Sequence, residues 1–392
     1  MFFASLIGAF LVGASAAAGI TAYMTTPELI RNLQYPYEIH QVETTDGYIL
    51  THHRIPYGKA GPGNRTRWPV LIQHGLVGDS SAWVNKNSKQ VDSLGFLLAD
   101  IGYDVWLLNS RGNYYSRGHV SKGFFNPTYF DFSYHEMGVF DLPETIDYIL
   151  QVTGVAQVAH VGHSQGTTAM WVMLSERPEY KSKVALHIAY APVAFHAHSV
   201  NPIFRFVSVF DRVGILSTMP FRILEVPRNK LITFFLTNAC SNWSPTRYFC
   251  EVIYYWVMGF NPDELDRNEL WNIYGHYPSS SSLKQFTHFS QALNKPVFAQ
   301  FDYKRFGNWR AYGSAAPPEY NLSRVDIPVY SFYGGKDTFC QLPDVDRLHS
   351  QLPNLKAKYY IEKWAHYDYL HGINARQKIY EPTMQILNEN LK

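Results

Sequence analysis

The chain has 392 residues, of which 46% are hydrophobic and only 17% charged, against about 25% charge in an average soluble domain. That balance excludes a disordered chain, and 34 basic against 32 acidic residues, with no run of five like charges, exclude a surface that tracks nucleic-acid phosphates. The length suits one large core with an insertion, or two domains, and 28 Tyr, 25 Phe and 9 Trp suit broad apolar surfaces with polar tips.

The first stretch, MFFASLIGAFLVGASAAAGI, carries no charged side chain and runs from an apolar segment into small residues. It reads as a secretory signal peptide over residues 1–16, cut after Ala16; a retained anchor is the alternative, because the uncharged stretch extends to Pro27. Export agrees with Asn-x-Ser/Thr acceptors at Asn64, Asn242 and Asn321, the second weakened by Pro245. In an oxidising compartment Cys240 and Cys250 are expected to form a local disulfide and leave Cys340 free. Three dispersed cysteines without a C-x-x-C pair argue against a structural zinc.

Beyond the leader, IHQVETT and YILTHHRIP flank Asp46-Gly47, a pair suited to a tight hairpin turn. The pattern then changes to short continuous apolar runs at 68–75, 103–112, 157–166 and 184–194, as expected of strands buried on both faces. Helix-like stretches lie between them. The clearest is DLPETIDYILQVTG, where Asp141 is expected to cap, Pro143 and Glu144 occupy the first turn, and Gly154 ends the helix. Two further strand-like runs follow at 326–337 and 357–366. The alternation predicts an α/β fold with a mainly parallel sheet, its core in residues 27–194 and 316–392. Residues 195–315 break the alternation with bulky apolar segments, and a mostly helical cap and lid over an apolar site is the expectation there.

Gly162-His163-Ser164-Gln165-Gly166 follows one of the strand-like runs and precedes a helix-compatible one, the context that the G-x-S-x-G nucleophile elbow requires. A serine hydroxyl needs a histidine base and an acid that orients it, and in such folds they follow in the order Ser, Asp, His. Asp337 and His366 stand just after the last two strand-like runs, at the sheet end where such folds place their sites. Asp344, Asp346 and His349 fall in the intervening helix, and His371, a helical turn or more past His366, is expected behind the base or at the surface. The backbone N–H groups of Gln165 and Leu76, the latter in the loop after residues 68–75, are the expected oxyanion hole. The pairs His160/His163 and His196/His198 lack a third ligand and read as ordinary core or loop histidines rather than metal sites.

With these residues in view, the chain resembles the acid lipase family of the α/β-hydrolase superfamily, which includes gastric and lysosomal acid lipases. The resemblance runs from about Pro27 to the C-terminus and rests on DGYIL, LIQHGL, GYDVWLLNSRGN, DLPETIDYIL, VGHSQGTT, APVA, GGKD and WAHYDY in that order. It implies a triad of Ser164, Asp337 and His366, an oxyanion hole at Leu76 and Gln165, and a cap and lid over about 195–315. It also implies hydrolysis of triacylglycerols or sterol esters with no metal or other cofactor. Two departures stand out: the cysteine pair is spaced one residue wider than the family's lid disulfide, and His366 is followed by Tyr367-Asp368-Tyr369 where the family commonly has Leu-Asp-Phe.

The reading is therefore a secreted or lysosomal serine lipase acting on neutral lipid esters, triacylglycerol first, with transient contact to a lipid surface and no nucleic-acid partner. A sterol ester hydrolase or general carboxylesterase is the alternative within the same chemistry. A non-catalytic lipid carrier is the alternative outside it, disfavoured because a carrier needs no Ser, Asp and His set. Epoxide and haloalkane hydrolases use an Asp nucleophile where this elbow carries Ser164.

Overall fold

The computed structural model describes residues 20–63, 67–86, 92–123, 126–218 and 224–391. The expected leader and Asn64 lie outside them. The first two strands, β1 (Glu38–Glu43) and β2 (Tyr48–Ile55), form an antiparallel hairpin. Its turn closes with the Gly47 N–H donating to the Thr44 carbonyl at 2.8 Å, and Gly47 has φ 93°, a conformation that side chains beyond glycine rarely tolerate.

The remaining strands are β3 (Pro69–Gln73), β4 (Asp104–Leu107), β5 (Gly118–His119), β6 (Val158–His163), β7 (Val184–Tyr190), β8 (Glu225–Val226), β9 (Ser281–Ser282), β10 (Val329–Gly334) and β11 (Leu355–Ile361). The main sheet runs β1-β2-β4-β3-β6-β7-β10-β11, with the short β5 paired to β2, and every neighbouring pair from β4 through β11 is parallel. Every residue of β3, β4 and β6 is buried, as their continuous apolar runs predict, whereas the edge strand β11 is nowhere fully buried. The order reverses at β3, which has β4 on one side and β6 on the other. In open α/β sheets the crevice at such a reversal, beyond the carboxyl ends of the strands, is where ligands bind.

Helices α1 (Leu94–Asp100), α2 (Leu142–Thr153) and α3 (Gln165–Glu176) connect the early strands. Helix α2 ends as expected, on Gly154 with φ 72°, but it does not begin as expected. Asp141 has helical backbone angles and makes no side-chain cap. Its carboxylate instead accepts from the Arg111 backbone N–H at 3.0 Å and from Arg111 Nε at 2.7 Å. The chain is already helical upstream, through a π turn at Met137–Asp141 and a short helix whose capping box is Ser133 with Glu136.

Between β7 and β10 the chain forms α4 (Pro202–Arg212), α5 (Lys230–Ala239), α6 (Arg247–Met258), α7 (Leu270–His276), α8 (Leu283–Asn294) and α9 (Lys304–Tyr312), interrupted by the small β8–β9 ladder. A Cys240–Cys250 disulfide joins the end of α5 to α6, and Cys340 is a buried free thiol. The fold closes with α10 (Leu342–Gln351) between β10 and β11, and α11 (Glu381–Asn390).

Candidate active site

Ser164 stands between β6 and α3 with φ 54° and ψ −118°, a strained conformation that costs on the order of 1–3 kcal/mol and that the surroundings must impose. They do so by close packing. A Cβ added to Gly166 would stand 2.5 Å from the Gln73 carbonyl oxygen, and one added to Gly162 would stand 2.8 Å from the Gly166 backbone. The two motif glycines therefore let α3 start directly against β3 and β6.

The two other expected residues arrive from the far strands. Asp337 follows β10 and His366 follows β11, and they meet Ser164 in one line of hydrogen bonds. His366 Nε2 lies 2.8 Å from Ser164 Oγ, and His366 Nδ1 lies 2.8 Å from Asp337 Oδ2. All three side chains are buried. Asp337 Oδ1 accepts from the backbone N–H groups of Phe339 at 2.8 Å and Cys340 at 2.9 Å. Burial alone raises a carboxyl pKa, but His366 and these two N–H groups together outweigh it and hold Asp337 below its ordinary value. Asp337 stays ionised, so Nδ1 of His366 carries the proton and Nε2 is the lone pair facing Ser164.

The loop after β3 faces the elbow. A Cβ on Gly75 would stand 3.0 Å from Ser164 Cβ, tight enough that Ser164 would have to give by a few tenths of an ångström. The His74 ring fastens the loop: Nδ1–H donates to the Gly75 carbonyl at 2.8 Å, and Nε2 accepts from the Ser110 N–H at 3.2 Å. Val77 then turns with φ 53°. Among the described residues neither the Leu76 nor the Gln165 backbone N–H has a hydrogen-bond partner, as an oxyanion hole requires before substrate enters.

The rivals fall elsewhere. Asp344, Asp346 and His349 lie within α10, where Asp344 pairs with His198 at 2.9 Å and His349 bonds Ser331 at 2.8 Å. His371 is not at the surface: it is buried, with its ring edge-on to Tyr277. His160 pairs with His187 at 2.9 Å and with Gln73, a closed core cluster.

Four supporting contacts have no local sequence signature. His163 Nε2–H donates to the His366 carbonyl at 2.8 Å, and burial lowers its pKa to about 3, so the ring stays neutral beside Ser164 and His366. The His366 N–H donates to the Met258 carbonyl at the end of α6, tying His366 to that helix. Phe339 stacks on the His366 ring with 4.1 Å between centroids. Cys340 Sγ donates to the Ala191 carbonyl at 3.1 Å. Among the described residues Asp337, Cys340 and His366 are the group with metal-ligand chemistry, their candidate atoms within 4.8 Å. The aspartate–histidine bond engages two of them, and burial pushes the thiol pKa well up, so hydrogen bonding accounts for the set.

A largely apolar cavity opens over Ser164 and His366. Its floor includes Gly75, Leu76 and Val193, and its walls come from the helices between β7 and β10: Ile203 and Phe204 of α4, Val257 and Met258 of α6, and Phe286 and Phe289 of α8.

Residues 69–373 match the α/β-hydrolase fold family, and residues 26–87 match a family described as a partial α/β-hydrolase lipase region. Lipase 3 of Drosophila melanogaster is 36% identical over 91% of this chain and 91% of its own length. The human lysosomal acid lipase/cholesteryl ester hydrolase is 33% identical over 93% of this chain and 91% of its own, and the gastric triacylglycerol lipase of Bos taurus 33% over 95% and 93%. The chain belongs to the acid lipase family of the α/β-hydrolase superfamily. Solved structures extend the fold alone: an epoxide hydrolase from Vigna radiata aligns with TM-score 0.52 and 16% identity over 90% of this chain and 98% of its own.

Proposed function

We propose that the chain is a serine lipase that hydrolyses carboxylic esters of neutral lipids, triacylglycerol first, through an acyl-enzyme. The observation that carries this is the Ser164–His366–Asp337 hydrogen-bonded line at the floor of an apolar cavity. Ser164 Oγ attacks the ester carbonyl as His366 Nε2 takes its proton. Asp337 stabilises the imidazolium, and the N–H groups of Leu76 and Gln165 hold the tetrahedral oxyanion. His366 returns the proton to the departing alcohol, and water repeats the sequence on the acyl-enzyme. The catalytic roles of these five residues belong to this proposal.

Contact with a lipid surface is part of the same reading. Phe206, Val209 and Phe210 of α4 with Val213 just past its end, and Phe249, Val252, Ile253 and Trp256 along α6, are all exposed. Each set follows the spacing i, i+3, i+4, i+7 and makes an apolar stripe on the outer face of its helix. Residues 195–315 thus supply both the cavity wall and an outward apolar face, which supports the cap and lid reading. Entry into the secretory pathway, with delivery outside the cell or to the lysosome, fits the leader, the disulfide and the exposed acceptors Asn242 and Asn321. No helix of the described residues is long and apolar enough to cross a membrane.

The test is fatty-acid release from emulsified trioleoylglycerol and cholesteryl oleate by the chain and its Ser164→Ala variant. Release should vanish in the variant, and the ratio of the two esters separates a glyceride lipase from a sterol ester hydrolase. A folded wild type that releases acid from neither ester points to a carrier. Equal turnover of dispersed and emulsified ester removes the lipid-surface contact.

A further inference from the structure

His196 follows β7 in the segment APVAFH and lines the cavity above Ser164. Its side chain is 1% exposed, and neither ring nitrogen has a hydrogen-bond partner among the described residues. Its ring neighbours are Phe204, edge-on at 5.0 Å between centroids, and Phe289 at 5.6 Å, and the charges of Asp344, His366 and Asp337 also reach it. A hydrophobe of similar volume would suit such a place better, since an unpaired buried polar group costs about 1–3 kcal/mol. The other buried histidines near the site are engaged: His163 with the His366 carbonyl and His74 with Gly75 and Ser110. Burial lowers the His196 pKa to about 4, so the ring is neutral and offers one N–H and one lone pair.

Its place relative to the triad follows from the stacked rings. Phe339 lies on His366 at 4.1 Å, Phe204 lies 5.4 Å from Phe339, and His196 lies next beyond Phe204. The imidazole is thus two aromatic rings removed from the catalytic base along the cavity wall. A polar group on a bound chain that met it would stand away from the ester carbonyl, in a cavity that Ile203, Phe286 and Phe289 also line.

We infer that His196 is a specificity-determining residue that recognises an oxygen function, a hydroxyl or keto group, borne partway along the acyl chain of the ester. The inference rests on the serine lipase reading. An apolar cavity discriminates weakly between chains that differ by one polar group, whereas a buried hydrogen-bonding group favours the chain that satisfies it.

Triricinoleoylglycerol and trioleoylglycerol test this, because their acyl chains differ by a single mid-chain hydroxyl. In the wild type, kcat/KM should favour the hydroxylated ester about 5-fold, the size of one net hydrogen bond of about 1 kcal/mol. In His196→Phe the ratio should fall to about one, and in His196→Gln, which keeps a donor and an acceptor, a preference should persist. A wild type that cleaves both esters without preference overturns the inference whether or not the variants fold, as does a preference that survives intact in His196→Phe. Failure of the underlying reading looks different: acid release from trioleoylglycerol that is absent in the wild type or undiminished in Ser164→Ala.

Discussion

Asp337 accepts three hydrogen bonds, one from His366 Nδ1 and two from the backbone turn that follows it. The turn leaves the carboxylate one free direction, toward the imidazole, and its negative charge decides which nitrogen of His366 carries the proton. Replacing Asp337 by Asn preserves the shape but offers an N–H where the ring must donate. The ring then settles with its lone pair on Nδ1 and its proton on Nε2, where it cannot accept from Ser164. In the proposed mechanism Asp337→Asn should lower kcat by about 10³–10⁴ with KM little changed. A variant within tenfold of the wild type in kcat, on the same emulsion, removes Asp337 from the role of orienting acid.

At the scale of elements, Arg111 binds three segments together. Its guanidinium pairs with Asp141 at the start of α2 and with Asp46 in the β1–β2 turn at 2.6 Å, and it lies 4.1 Å from the Tyr48 ring centroid. The carboxylates around it keep its pKa above the ordinary value despite full burial. Asp141→Ala should therefore destabilise the protein by about 3 kcal/mol, because the buried Arg111 keeps only Asp46 while its Nε and backbone N–H lose their shared acceptor, whereas loss of a helix cap costs about 1 kcal/mol. Equilibrium urea unfolding distinguishes the two, and a loss near 1 kcal/mol returns Asp141 to the role of a cap. The same residue shows where reading the chain stops. Asp141, Pro143 and Glu144 satisfy a helix-start pattern, yet the partner that claims the carboxylate lies 30 residues away, and the working capping box sits upstream at Ser133 and Glu136. The central strands were legible because burial on both faces leaves a continuous apolar run. Ser164 was legible because it directly follows such a strand, and Asp337 and His366 because they stand just past the last two strand-like runs. His163, Met258 and Phe339 were not, because what they do depends on contacts across the fold that no local spacing encodes.

Across the whole molecule, the buried histidines set how stability responds to acid. Burial lowers the pKa of His52, His163, His187, His288 and His371 to about 3, and of His53, His196, His276 and His349 to about 4. The unfolded chain titrates these rings near 6.5, so between that pH and about 4 it binds protons that the fold refuses. Stability then rises with pH in this window, by up to about 1.4 kcal/mol per pH unit for each ring fully protonated only in the unfolded chain. Asp368 acts in the opposite sense. Burial raises its pKa to about 7, so the fold holds a proton that the unfolded chain releases, and this contribution is lost as pH rises from about 4 to 7. Asp141, which burial raises to about 6, acts in the same sense as Asp368, and two carboxyls do not offset nine imidazoles. The melting temperature should fall steadily from pH 6.5 to pH 4, whatever the pH at which turnover is fastest, and His371→Phe, which removes one refused proton, should flatten the slope. A melting temperature that is level or rising over the same range, followed by calorimetry at constant ionic strength, shows that these rings are protonated within the fold.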